Sequence, residues 1–319
     1  MFKKLNIWTL LIIVIILAAF YFISEYSDHS ERNFKSKIIS IDTSIVTSFV
    51  INNPEGAVLT LNKEGNNWFA SSENKKYSTD NKIVKNLLSQ FSNITVERVA
   101  ATKKKNWAKY EVEDSTGIKV TVFANDEILG DLLIGKFSYI PADEAQNPAS
   151  DNRRQPRGTM ISYVRLVNEN EVYAVIGYLK MMFSTELKSL RNKHLINVNK
   201  EDILKVIFDY PDNKFTLSKN NNSWTINGAV VDSALSVKYI SKLAKLNSSS
   251  FVESNENKTS YYSIQLEGNN FIPIQLFAYE ADTANKFIIT SSANNDSYFS
   301  GAKKDLFEKT FVQKSNFFK

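Results

Sequence analysis

The sequence predicts an α+β protein: an N-terminal transmembrane helix followed by two tandem, related α+β modules with mainly antiparallel sheets. Three observations carry this. Residues 5–24 form an uncharged apolar run. An ordered set of landmarks (strand, tryptophan hairpin, capped helix, strand) occurs twice. Alternating apolar and polar residues recur through both copies, as half-buried strands require. A chain of 319 residues, 43% apolar and 23% charged, has the composition of a folded protein and room for about two domains.

The first element is LNIWTLLIIVIILAAFYFIS, residues 5–24. A helix of this length, at about 1.5 Å per residue, spans roughly 30 Å, the thickness of the hydrocarbon core. Lys3 and Lys4 precede it, and Trp8 and Tyr21 lie near its ends, where amphipathic rings favour the headgroup region. The lysines place a tail of residues 1–4 in the cytoplasm and everything after a 25–33 linker outside it. A cleaved signal peptide would have an apolar core of about 7–15 residues and a small-x-small site. Here the run is longer, and Ala18-Ala19 is followed by Phe20-Tyr21-Phe22. The chain has no cysteine, which excludes lipoprotein processing, disulfides, zinc ribbons and thiol nucleophiles. Its two histidines, His29 and His194, are far apart, so no metal is expected. The net charge of +5 includes Lys3 and Lys4, and the remainder is too small for a nucleic-acid partner.

The modules are predicted at 34–188 and 189–319. Pro54 leads to Trp68 in one, and Pro211 to Trp224 in the other. Each tryptophan is expected to close a hairpin and pack on the helix that follows. The helices are announced by Asp80, then Ile83, Val84, Leu87, Leu88 and Phe91, and by Asp232, then Leu235, Tyr239, Ile240 and Leu243. Asp80 and Asp232 are 152 residues apart, as are Val99 and Phe251, so this stretch aligns without a gap. IKVTVF at 118–123 is matched with IPIQLF at 272–277, and KSKIISID at 35–42 with RNKHLINVN at 191–199. The period is far longer than a solenoid repeat and marks a domain duplication. Pro273 predicts an edge strand, because proline removes a ladder donor.

The first module carries a polar insertion at 138–159, SYIPADEAQNPASDNRRQPRGT, and the second has only Ile289 to Tyr298 at the matched place. Arg153, Arg154 and Arg157 within it are candidates to grip a carboxylate or phosphate on a partner.

The ordered landmarks, with the linker LKSLRNKHLINVNKEDILKVIFDYP (187–211), GIKVTVFANDE (117–127), LLIG (132–135) and SYVRLVNENEVYAVIG (162–177), give the chain a recognisable profile. It resembles the uncharacterised bacterial membrane-anchored family known as domain of unknown function 4340. The resemblance covers about residues 34–300. It brings no catalytic residues. It implies a single-pass protein of the bacterial cytoplasmic membrane, and relatives whose genes commonly lie beside those of ATP-binding-cassette permeases and auxiliary transport proteins.

No nucleotide-binding, metalloprotease, esterase or calcium-loop motif is present, so no catalytic residue and no cofactor are expected. One constellation follows the order of penicillin-binding enzymes: Ser72-Glu73-Asn74-Lys75, Ser150-Asp151-Asn152 and Lys258-Thr259-Ser260. Its context is polar throughout, and KTS lacks the glycine of KTG. Lys103-Lys104-Lys105 with Trp107 and Lys109 has the composition of a lipid-headgroup contact, or of a solvated turn. The expected function is a non-enzymatic membrane-anchored accessory subunit of an envelope transport assembly of the ATP-binding-cassette type. Its partners would be the bilayer, through residues 5–24, and permease subunits. The alternatives are an envelope ligand-binding module and, remotely, a serine acyl enzyme. Labelling by a β-lactam probe is expected to be the same for the Ser72→Ala variant as for the parent chain, and loss of labelling would revive the acyl-enzyme alternative.

Overall fold

The computed structural model describes residues 37–56, 58–72, 75–141, 158–221, 223–252, 260–281 and 284–318. The expected membrane helix at 5–24 lies outside them. Among the described residues no helix is long and apolar enough to cross a membrane.

The first module begins with β1 (Lys37–Ser40), β2 (Ser48–Asn52), β3 (Leu59–Glu64), β4 (Asn67–Ser72), β5 (Lys75–Ser78) and helix α1 (Asn81–Ser92). It continues with β6 (Asn93–Ala101), the single turn α2 (Trp107–Tyr110), β7 (Ile118–Ala124), β8 (Glu127–Ile140), β9 (Thr159–Leu166) and β10 (Val172–Ile176). Two short helices, α3 (Leu179–Phe183) and α4 (Leu187–Leu190), close it. The second has β11 (Ile203–Tyr210), β12 (Asn213–Asn220), β13 (Ser223–Ile226), β14 (Ala229–Val230), α5 (Ser233–Leu243) and β15 (Phe251–Val252). It ends with β16 (Ser260–Gly268), β17 (Ile274–Glu280), β18 (Phe287–Ser291), β19 (Asn294–Ser300), α6 (Leu306–Thr310) and a 3-10 turn, Lys314–Phe317.

Among the described residues ten strands form one sheet, ordered β1-β6-β10-β9-β8-β7-β2-β3-β4-β5, and nine form a second, ordered β15-β19-β18-β17-β16-β11-β12-β13-β14. The second order repeats the first, strand for strand, from β6 onward. The pairings are antiparallel throughout. β1 has its counterpart as well. Lys37 pairs with Thr95, and His194 bridges Asn247, 152 residues after Thr95.

The helices hold the 152-residue offset. Asp80 caps α1 by accepting from the Lys82 amide at 2.9 Å, and Asp232 caps α5 by accepting from Ala234 and Leu235. Val84, Leu87, Leu88 and Phe91 are the buried face of α1, and Ser236, Tyr239, Ile240 and Leu243 that of α5. Trp68 and Trp224, each 4% exposed, lie in the two cores beneath these helices. The closing segments correspond too. The Asp80 amide donates to the Leu190 carbonyl, as the Asp232 amide does to that of Phe317. The Tyr239 hydroxyl donates to the Thr310 carbonyl at 2.7 Å, which ties α6 to α5.

Three sequence expectations are corrected. IKVTVF is β7, whose counterpart is β16; IPIQLF falls in β17, the counterpart of β8. The match slipped by one strand because neighbouring strands share the same alternation. For the same reason the second module's answer to the insertion is the β17–β18 connection, 281–286, rather than 289–298. The insertion's ends are themselves strand, since β8 runs to Ile140 and β9 starts at Thr159. Pro273 precedes an interior strand: β17 lies between β16 and β18. The first ladder residue is Ile274, so no donor is missed.

Asp80→Ala and Asp232→Ala should each lower stability by about 1 kcal/mol in denaturant unfolding, the usual worth of an aspartate N-cap. Loss of one cap without effect would show that the carbonyl clamp alone fixes that helix start.

Candidate functional site

A groove between the copies is where the sequence allows a ligand, so the junction between the sheets is the first place to examine. After α4 the chain runs along the end of the first sheet. Thr79 bridges Arg191, and the Asn192 amide donates to the Ser78 carbonyl at 2.8 Å. Strand β19 of the second sheet, next to the edge strand β15, meets the same point. The Ser78 amide donates to the Asp296 carboxylate, and its hydroxyl donates to the other oxygen of that carboxylate at 3.1 Å. Asn294 Nδ2 donates to the Asn192 and His194 carbonyls at 2.9 and 3.0 Å.

Arg191 stands at the centre and is 8% exposed. Its guanidinium carbon lies 3.7 Å from the ring centre of Tyr77, in the first sheet, and 3.9 Å from that of Phe251, in the second. Nη2 donates to Ser297 Oγ at 3.2 Å, and Ser297 donates on to Asp296 at 3.0 Å. One cation, sandwiched between a ring from each module, therefore joins them. A guanidinium suits this place because it is planar, stacks on aromatic faces and is weakly hydrated.

Beside the junction opens a cleft of about 440 Å³, whose walls include Asn67, Trp68, Lys82, Asn197 and Ile274. Asp80 and His194 face each other across it, with Oδ2 and Nε2 3.8 Å apart. His194 Nδ1 is buried and has no hydrogen-bond partner among the described residues. The walls offer amide and imidazole groups beside the apolar Trp68, Phe69, Leu195 and Ile274. Among the described residues no group of three or more His, Asp or Glu is arranged to hold a metal ion.

The residues singled out in the sequence are elsewhere. Arg153, Arg154 and Arg157 lie outside the described residues, as do Asp143, Glu144, Ser150-Asp151-Asn152, Lys258 and Thr259. Ser72 and Lys75 pair across the tight β4–β5 hairpin, not along a helical turn. Lys103, Lys104 and Lys105 are exposed; Lys104 sits over the Trp107 ring at 5.0 Å and Lys109 over that of Tyr110 at 5.4 Å. Glu111 pairs with Lys180 at 2.6 Å and Asp114 with Arg165 at 3.4 Å.

Arg165, in the SYVRLVNENEVYAVIG stretch, is 1% exposed. It stacks on Trp107 at 3.7 Å and donates to the Val112 and Val167 carbonyls at 3.0 and 2.9 Å. Burial lowers its pKa below the ordinary value, and the Asp114 carboxylate opposes that shift. Its role is to hold the α2 turn on the sheet. Sequence reasoning missed Arg191 and its partners. The one signal is that Arg191 opens the segment 191–199, which matches 35–42.

The family model described as Domain of unknown function (DUF4340) matches residues 68–139 and 154–266. No curated protein and no solved structure matches the chain.

Replacing Arg191 by Ala should cost about 2–4 kcal/mol, taking each desolvated cation–ring contact at about 1–2 kcal/mol. It should also separate the unfolding of the two modules, seen as non-coincident fluorescence and circular-dichroism transitions. Arg191→Lys should fall between, because an ammonium cannot stack between two rings. A single, unshifted transition for Arg191→Ala would show that the modules are held by other contacts.

Proposed function

The chain belongs to the DUF4340 family, and on that footing we propose that it is a non-enzymatic, membrane-anchored accessory subunit of an envelope transport assembly of the ATP-binding-cassette type. Residues 5–24 would anchor it in the bacterial cytoplasmic membrane, with the N-terminus inside and both sheets outside. One observation carries the reading. An uncharged run long enough to span a bilayer precedes two sheets whose cores are filled by their own side chains. Such a molecule meets others through its surface and its anchor rather than through an interior chamber.

A second reading is an envelope ligand-binding module. The cleft at the junction and the unpartnered Nδ1 of His194 favour it. Small-molecule sites are mostly apolar with a few convergent polar groups, and these walls carry polar and apolar groups in similar measure, so the accessory reading stands first.

Gentle detergent extraction of the tagged full-length protein from its own host, with mass spectrometry of what co-purifies, tests the choice. Permease and ATPase subunits in stoichiometric amounts are the expected result. Recovery of the chain alone, at its own 36.3 kDa, would overturn the accessory reading and direct attention to the cleft.

A further inference from the structure

Large apolar side chains are exposed together at one end of the first sheet. Phe137, Tyr139 and Ile140 are on the last part of β8, and Ile176, Tyr178 and Met181 follow at the end of β10 and on α3. They are between 36% and 68% exposed, too much for core residues. The register gathers them. Phe137 pairs with Ser162 and Tyr139 with Met160. Ser162 Oγ accepts from the Leu179 amide at 3.0 Å, and the Met160 carbonyl accepts from the Gly177 amide at 3.0 Å. β7 pairs with β8 only as far as Ile134, so the stretch carrying Phe137, Tyr139 and Ile140 extends beyond it. By the register Phe137 and Tyr139 share one face with Val175, and Ile140 shares the other with Ile176, so both faces of this end expose large apolar side chains. Such clustering marks an interaction surface, whereas single exposed apolar residues do not.

The start of β1 lies in the same row of the sheet. Lys37 pairs with Thr95; the next residue, Val96, pairs with Val175; Val175 pairs with Ser162, and Ser162 with Phe137. From β1 to β8 is four strand spacings, about 19 Å. Residues 25–36, between the apolar run and Lys37, reach at most about 40 Å when extended, at about 3.3–3.6 Å per residue. The linker is therefore long enough to let the patch reach a bilayer spanned by residues 5–24. The side chains suit that surface, since tyrosine sits at the headgroup level with its ring in the apolar layer, and phenylalanine, isoleucine and methionine go deeper. Lys136 flanks the patch and carries charge that anionic headgroups attract, whereas Lys180, also beside it, is paired with Glu111.

We propose that this end of the first sheet, formed by Phe137, Tyr139, Ile140, Ile176, Tyr178 and Met181, is seated in the headgroup region of the membrane. The proposal rests on the anchored reading given above. It makes residues 5–24 one of two attachment points, and it sets the orientation of both modules over the bilayer.

The absence of cysteine makes single-cysteine labelling unambiguous. Full-length Tyr178→Cys, Met181→Cys, Ile272→Cys and Ile12→Cys chains, each carrying a nitrobenzoxadiazole label, are reconstituted into phosphatidylcholine–phosphatidylglycerol vesicles containing a spin-labelled quencher lipid. Ile272 is the reference, an 86% exposed apolar residue of the second module. Labels at 178 and 181 should be blue-shifted and quenched several-fold more than the label at 272, with the label at 12 also quenched. Equal quenching at 178, 181 and 272 with position 12 quenched would overturn the proposal and leave the anchor intact. An unquenched label at 12, on a chain that does not float with vesicles, would bring down the anchored reading and the proposal with it. Labels at 178 and 181 that are unquenched in lipid, yet shielded from aqueous iodide in native membranes, would assign the patch to a protein partner and overturn the lipid assignment.

Discussion

One long amphipathic helix per module has to cover one face of a broad antiparallel sheet, and the rest of the chain is arranged around that constraint. Helix α1 has 12 residues and is about 18 Å long, at about 1.5 Å per residue. Ten strands at about 4.8 Å make a sheet about 43 Å wide. The helix covers the middle, so other groups must cover the flanks. In the first module Phe183 of α3 meets Phe49 and Phe91 with ring centres 5.8–6.2 Å apart. In the second Phe317 of the last turn meets Phe208, Phe215 and Tyr239. Both closing segments return to the same place, the amide of the helix-capping aspartate. The cap is thus the point where helix, hairpin and closing segment are pinned together.

This explains which parts of the duplication were legible. The helix positions could be aligned because a helix fixes its buried face by spacing, and the face is shared at Val84 and Ser236, Leu87 and Tyr239, Leu88 and Ile240, Phe91 and Leu243. Strand matches were less secure: Val99 with Phe251 and Trp68 with Trp224 fall on corresponding strands, but IKVTVF was set against the wrong one, because alternation repeats every two residues and a slip by one whole strand leaves it intact. The cores add to the difficulty. They have the same frame but place their rings differently: Phe49 on β2 and Phe91 on α1 in one, Phe208 on β11 and Phe215 on β12 in the other. A core asks for volume and shape, so the large residue can move between neighbouring elements without loss of packing. The closing helices, LKMMF and LFEKT, share little beyond their first leucine for the same reason.

The junction was illegible for a different reason. Arg191 is one arginine among many cations in the sequence, and its setting comes from distant places: Tyr77, Phe251 and Ser297. Nothing in the local spacing of any of these residues signals the others. Burying polar groups there is made tolerable by mutual hydrogen bonds, with Asp296 accepting from Ser78 and Ser297, and Asn294 donating to two linker carbonyls, although His194 Nδ1 is left without one. A polar joint of this kind fixes one relative placement of the modules, since a shifted interface would strand a buried cation and a carboxylate.

The two modules also differ where their shared plan leaves freedom. β8 has 14 residues and its counterpart β17 has 7, yet β17 is long enough to pair fully with its neighbours. The extra length of β8 is therefore not needed to complete a sheet. Instead it carries Phe137, Tyr139 and Ile140 past the end of β7, where they gain no core contact and remain open to water. Exposing such side chains costs free energy at about 25 cal/mol per Å² of apolar surface, and the cost falls away only when something covers them. Arg165 and the α2 turn brace the same strands from the other face, through Trp107 and the Val112 carbonyl. A braced pair of long strands that exposes apolar side chains along its outer part is suited to meeting a surface. The junction at Arg191 then makes the second module move with it, so whatever this end of the first sheet contacts orients both modules.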